Sequence, residues 1–381
     1  MADNPVTTNR PRRLLAIDGG GLAGLIPAEC LIAIESQLDQ LIGTQKPLCK
    51  RFDLIGGTST GAILAAGLAL GKKASDLRDF YLKYGHEIFT KSWLPGRIWH
   101  KYPSGPLEKR LKEVLKKSTL GSDELCTQIM IVAKNATLGS DWFFSNNPKN
   151  KFFKNNANLP LWQIVRASSA APTYFPPETI PVTDEAGKKQ KYEFIDGGVS
   201  SYNNPAFQAF LEATVPEYGN GWPMGADQLM LISLGTGFSS ATIPPGKAAS
   251  YWELQWAQYL IRELMNEANL QQNVLMHLIG QRPEGVPSAT NELISSGAAS
   301  GIPDKNMLDR VSGGLGPQKL VTYQRITVGL TQQRLEQLGL HGVDASKLAE
   351  MDAADQIPNF QRLGAAVAKE QVHMEALKAF F

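Results

Sequence analysis

Short apolar runs alternate with longer stretches of helical spacing in the first part of the chain. Arg13-Leu14-Leu15-Ala16-Ile17 is too short for a helix and apolar throughout its second half, the pattern of a buried parallel strand. It runs into Asp18-Gly19-Gly20-Gly21-Leu22-Ala23-Gly24 and then into a helical stretch from Pro27 to Leu41. There Leu31, Ile34, Leu38 and Leu41 share one face, and Pro27 sits where a first helical turn tolerates it. Phe52-Asp53-Leu54-Ile55 is a second short run, followed by Gly56 to Gly61 and the small-residue helix Ala62 to Leu70. Strand, helix, strand, helix in this order predicts an α/β sheet.

The spacing from Lys72 to Leu125 is mostly helical and basic. Gln128–Ala133 and Asp141–Ser145 read as strands joined by a turn through Gly139. Leu161 to Pro177 opens as a helix whose small residues allow close packing, and proline halts it. After a polar turn from Asp184 to Gln190, Tyr192–Ile195 is a strand that delivers Asp196-Gly197-Gly198-Val199. Asn203-Asn204-Pro205 begins another helix, and Leu229–Leu234 is a buried strand ending at Gly235-Thr236-Gly237. Tyr251–Ile279 is strongly helical, Leu320–Val328 is one more strand, and helical spacing resumes at Thr331 and Met351. No Pro/Ser-rich linker divides the chain. The expected organisation is a flexible leader over 1–12, one domain over 13–330, and a helical extension over 331–381 packed on that domain.

Composition narrows the function classes. At 381 residues with 43% hydrophobic and 19% charged positions, the chain can bury a large core. A formal charge of +2 carries no global signal for a nucleic-acid polymer. The start, Met1 to Arg13, has no apolar core, and no later apolar run approaches the ~20 residues of a membrane span. Cys30, Cys49 and Cys126 lack metal-ligand spacing and favour a reduced, cytoplasmic setting. The five histidines are scattered, and no metal site or cofactor is expected.

Three loops that follow strands carry the candidate chemistry. Gly57-Thr58-Ser59-Thr60-Gly61 fits the G-x-S-x-G elbow, in which a strained turn projects the serine hydroxyl from the sheet. Gly19, Gly21 and Gly24 match G-x-G-x-x-G, so a dinucleotide-binding reading stands beside a second one. The dinucleotide reading lacks the acidic residue ~20 positions further on that would hold a ribose. In the second reading the loop is a set of exposed amides at a helix start, Gly20 and Gly21 with Gly19, holding a developing oxyanion. Asp196, before Gly197 and Gly198, is either a turn-forming acid or the base for Ser59. Chain order Ser, Asp, His would nominate His277, His341 or His373 as a third member, but none has a strand-end context.

The set Asp18 to Gly24, Gly57 to Gly61 and Asp196-Gly197-Gly198 resembles the patatin-like phospholipase family. The run Ala167-Ser168-Ser169-Ala170-Ala171-Pro172-Thr173-Tyr174-Phe175 and the strand before Gly235-Thr236-Gly237 are similar too. The resemblance implies a three-layer α/β/α sandwich with a mostly parallel central sheet, a modified α/β-hydrolase-like fold with a helical C-terminal elaboration. It also implies a Ser59–Asp196 dyad that cleaves acyl esters of membrane phospholipids without a metal, as a phospholipase A or lysophospholipase does. Ala23 departs from the family, many of whose members carry a basic residue there. Leu22, Leu25, Ile63 and Phe175 are the expected walls of an acyl trough. Phe89, Trp93, Trp99 and Tyr102 interleave with Lys91, Arg97 and Lys101 in a segment suited to a peripheral contact at the inner membrane face. The bland alternative packs those rings on the core. Some bacterial members are switched on by cyclic nucleotides in anti-phage defence, which nominates Arg282, Lys305, Arg310, Lys319 and Arg325 as phosphate ligands. Solvated surface charge accounts for the same cations.

Overall fold

The computed structural model describes residues 10–90, 100–183, 188–239, 243–287 and 318–381. In chain order the elements are β1 (Arg12–Ile17), α1 (Leu25–Ile42), β2 (Leu54–Thr58), α2 (Thr60–Ala69), α3 (Ala74–Ile88) and α4 (Ser104–Leu115). They continue with β3 (Gln128–Asn135), β4 (Ser140–Ser145), α5 (Phe153–Asn156), α6 (Leu161–Ser168), β5 (Glu178–Thr183), β6 (Lys189–Asp196) and α7 (Ala206–Thr214). The last are β7 (Leu229–Leu234), α8 (Glu253–Ile279), β8 (Gly280–Gln281), β9 (Val321–Ile326), α9 (Gln332–Gln337), α10 (Ala345–Leu348) and α11 (Ile357–Gln371).

The strands form a nine-stranded sheet in the order β5-β6-β3-β2-β1-β7-β9-β8, with β4 paired to β3 off that path. From β3 through β8 neighbours run parallel, while β4, β5 and β6 pair antiparallel. Side-chain alternation along each strand builds the layers. Leu15 and Ile17 of β1 join the core that includes Leu31 and Ile34 of α1 and Leu64 of α2. Leu14 and Ala16 point the other way, into the core formed with Ala206, Ala209 and Phe210 of α7. The result is the expected three-layer α/β/α arrangement with a mostly parallel sheet.

Three differences from the sequence pattern have physical causes. The strand β5 was not expected, because Pro181 and alternating polar residues weaken its signal; it is the outermost strand beyond β6, where proline is tolerated. Gly21–Ile42 is a helix long and apolar enough to cross a bilayer by length and composition, a run the sequence pattern did not flag. It is a core helix here: α3 and α11 pack along it, and a Cβ on Gly364 of α11 would come within 3.0 Å of Ile26 Cα. The C-terminal part is not helix throughout, since short turns separate α9, α10 and α11.

The topology places the site. β2 and β6 lie on the same edge of β3 and run toward each other: Thr58 pairs with Val132, and Asp196 with Ala133, the next residue. The two strands therefore abut end to end. Whatever follows Thr58 must meet whatever ends β6.

Candidate active site

Ser59 follows β2 with φ 54° and ψ −119°, a conformation that L side chains rarely adopt. Close packing imposes it. A Cβ on Gly61 would lie 2.1 Å from the Ile17 carbonyl oxygen, so only glycine lets α2 start against the end of β1. Gly57 is equally tight against Gly61, its missing Cβ falling 2.2 Å from the Gly61 oxygen. The Ser59 N–H donates to Ser168 Oγ at 2.8 Å, and that hydroxyl donates to the Val132 carbonyl at 2.6 Å. Ser168 thus bridges the elbow to β3. It stands in the Ala167–Phe175 run, which gave no sign of this role beyond small size.

Ser59 Oγ donates to Asp196 Oδ2 at 2.6 Å. The other carboxylate oxygen accepts from the Gly198 N–H at 2.7 Å, while the Asp196 N–H donates to the Ala170 carbonyl at 3.0 Å. Gly197 passes so near β3 that a Cβ would lie 2.5 Å from the Val132 oxygen. Ser59 and Asp196 are buried, at 8% and 4% exposure. Burial pushes the Asp196 carboxyl up to about 7; the Ser59 hydroxyl, the Gly198 amide and the Arg166 guanidinium pull the other way. A carboxylate in that range is a far better base than an ordinary one near pH 4.

The glycine loop lies against this pair. Gly21 has φ 58°, Leu22 N–H donates to the Met351 carbonyl at 2.9 Å, and Ala23 N–H to Gly20 at 3.2 Å. The Gly19 N–H is spent on the Asn203 carbonyl at 3.1 Å, and the Gly19 carbonyl accepts from Thr236 Oγ1 at 2.6 Å. Gly19 is therefore removed from the expected oxyanion donors. Gly20 and Gly21 have no backbone acceptor among the described residues, and both line the same cavity as Ser59 and Asp196. Three of the loop glycines serve close packing: a Cβ would meet Thr236 at Gly20, Met351 at Gly21 and Thr60 at Gly24, each within 2.3 Å. Such contacts leave little of the loop open as a pyrophosphate cradle.

The cavity is apolar. Leu22, Ile63, Phe80, Ile88 and Phe175 line it, whereas Leu25, expected as a wall, is buried in the core instead. None of His277, His341 and His373 lines it. Among the described residues no cluster of His, Cys, Asp and Glu could hold a metal ion.

Other expected residues find different work. Phe89 packs edge-on against Tyr102 and Phe175, with ring centroids 5.5 and 5.8 Å apart. The Tyr102 hydroxyl donates to Asp352 Oδ2 at 2.6 Å, and Lys101 pairs with the same carboxylate. Tyr102 is buried, and Phe89 and Lys101 are half-buried, because a buried acid and a ring cluster offer all three partners within the protein. Lys91, Trp93, Arg97 and Trp99 lie outside the described residues, as do Lys305 and Arg310. Arg325 is not a free phosphate ligand: it is buried and bonded to Asp18 and Ser233. Lys319 donates to the Leu278 carbonyl at 3.0 Å, and Arg282 is exposed. The Asp18–Arg325 pair joins residues 307 apart and left no local sequence signal.

Comparison with known proteins places the chain in a family. The family model of patatin-like phospholipases matches residues 15–210. Patatin-like protein 1 of Oryza sativa subsp. indica is 34% identical over 252 residues, 60% of this chain and 59% of that protein. Patatin-2-Kuras 3 of Solanum tuberosum is 30% identical over 277 residues, 67% of this chain and 69% of that one. The chain thus spans less than two thirds of the rice relative's length. The crystal structure of VipD from Legionella pneumophila aligns over 92% of this chain and 67% of its own at 12% identity, with a TM-score of 0.37, too distant to add to the argument. On the matched domain, the chain belongs to the patatin-like phospholipase family.

Proposed function

We propose that the protein is a serine lipid acyl hydrolase of the phospholipase A type, acting on fatty-acyl esters of membrane phospholipids. One observation carries the reading: the 2.6 Å hydrogen bond from Ser59 Oγ to Asp196 Oδ2, made in an apolar cavity beside the amides of Gly20 and Gly21. The family match supports the lipid substrate class.

In this reading Asp196 takes the Ser59 hydroxyl proton as Oγ bonds to the ester carbonyl carbon. The carbonyl oxygen gains the charge and is held by the Gly20 and Gly21 N–H groups. Collapse breaks the ester C–O bond, and the leaving alcohol collects the proton from Asp196. Water then gives its proton to Asp196 and attacks the acyl carbon, which releases fatty acid and restores the Ser59 hydroxyl. Asp196 works without a histidine because burial has raised its basicity.

The test is fatty-acid release from mixed phospholipid vesicles by the wild type and by Ser59→Ala, with and without a cyclic dinucleotide. Ser59→Ala is expected to lose at least ~10³-fold in kcat with its Tm retained. A variant that keeps its rate would overturn the reading. Activity that appears only with the nucleotide would make the enzyme a triggered one.

A further inference from the structure

The long helix α8 has two faces at the site. Ile261 and Met265, one turn apart, line the apolar cavity that holds Ser59. A Cβ on Gly198, two residues after the base, would lie 3.6 Å from Met265 Cε. Arg262 and Asn266, displaced by one position along the helix, line a second chamber that shares Gly20 and Met265 with the first. A further polar chamber of about 550 Å³ shares Ser239 and Arg262 with the second and is lined also by Gln258, Tyr259, Thr331 and Ser346. That volume suits a small polar ligand.

Charge distinguishes the two sides of the reacting serine. Among the described residues, Arg262 is the sole charged side chain lining either outer chamber, and none of them brings a carboxylate to that lining. It is half-buried, with no ion pair among the described residues, and Ala23 contributes a methyl group but no charge to the same space. Its position relative to the apolar side shows at Tyr174, which lines the acyl cavity. Burial, then the Asp352 carboxylate, push that phenol up to about 12, and the Arg262 guanidinium pulls the other way.

We infer that the chambers around Arg262 form a phosphate subsite, where the guanidinium holds the headgroup phosphodiester of a lipid whose acyl chain occupies the apolar cavity. The inference rests on the hydrolase reading above. The acyl chain and the phosphate then leave the ester on opposite sides, with Gly20 between them. A guanidinium suits this task, since its planar donors match two phosphate oxygens at once.

The experiment compares phosphatidylcholine and a matched diacylglycerol in neutral detergent micelles. The zwitterionic headgroup keeps the micelle surface uncharged, so any loss reports the local phosphate contact. Arg262→Gln is expected to lose about tenfold in kcat/KM on phosphatidylcholine, carried by KM, with little change on diacylglycerol and in Tm. Arg262→Lys should recover part of the loss. Equal losses on both lipids, or none on phosphatidylcholine, would overturn the subsite while leaving the hydrolase intact. Stimulation of diacylglycerol hydrolysis by inorganic phosphate, dependent on Arg262, would assign the chamber to a free anion and also overturn it. If the wild type, like Ser59→Ala, releases nothing from either lipid with or without the cyclic dinucleotide, the hydrolase reading falls first and the subsite with it.

Discussion

Asp196 sits among influences with opposite consequences for its proton. The Ser59 hydroxyl and the Gly198 amide favour the carboxylate, and burial favours the acid more strongly, leaving the group near pH 7. Activity should therefore show an acid limb near pH 7, with kcat/KM on a soluble short-chain ester rising to a plateau above it. A limb near pH 4 would mean that the carboxylate is solvated during turnover. Stability carries the same shift with a definite sign. The unfolded chain ionises this aspartate above about pH 4, whereas the fold keeps it protonated until about pH 7. The associated stability is complete below the unfolded value and is lost as pH rises through the folded one. Asp196→Asn abolishes the change of charge, so its Tm should exceed the wild type's at pH 8 and the gain should shrink toward pH 4. Thermal melts across that range check this, and a gain of equal size at every pH would refute it.

At the scale of elements, the abutting ends of β2 and β6 do the positioning, and Ser168 at the end of α6 locks them. Its hydroxyl serves two buried groups, the Ser59 amide and the Val132 carbonyl. Ser168→Ala leaves both unpaired, at a cost of about 1–3 kcal/mol for each buried group. The elbow should loosen as well, so kcat should fall while KM for a short ester holds; an unchanged kcat with a lowered Tm would make Ser168 purely structural. This scale also shows what a sequence can reveal. The elbow was legible because its strain is local: strand, Gly57, Ser59, Gly61 and helix are contiguous, and each glycine answers to a backbone within a few ångströms. The neighbourhood of Asp196 was legible only through its partner loops, since an acid before two glycines commonly forms a turn. Orientation was not legible at all for Phe89, Lys101 and Tyr102. Their spacing fits a bilayer as well as a core, and Asp352, the partner of Lys101 and Tyr102, lies about 250 residues away. Gly19 differs from its expected part for a related reason: its amide donates to the Asn203 carbonyl, near it in space but not in sequence.

Across the whole molecule, one buried pair ties the glycine loop to the far side of the sheet. Asp18 follows β1, Arg325 stands on β9, and β7 runs between the two strands. Arg325 Nη1 donates to Asp18 Oδ1 at 2.8 Å and to Ser233 Oγ at 2.7 Å, so three strand ends are cross-linked directly beneath Gly19. Burial pushes the Asp18 carboxyl up, and the Arg325 charge and hydrogen bonds oppose that push. Such a pair adds little net stability over apolar packing, but removing one partner strands a charge at a cost of about 3–5 kcal/mol. Arg325→Met should therefore lower stability severely in urea melts at pH 8. Its deficit should narrow as pH falls, because the stranded Asp18 takes up a proton in the fold at a pH where the unfolded chain is still ionised. Adding Asp18→Asn should recover much of the stability at pH 8. Hydrolysis by that double variant then decides what the pair is for. If stability returns while kcat stays low, the ion pair sets the position of the Gly20 and Gly21 amides; if both return together, it serves the fold alone.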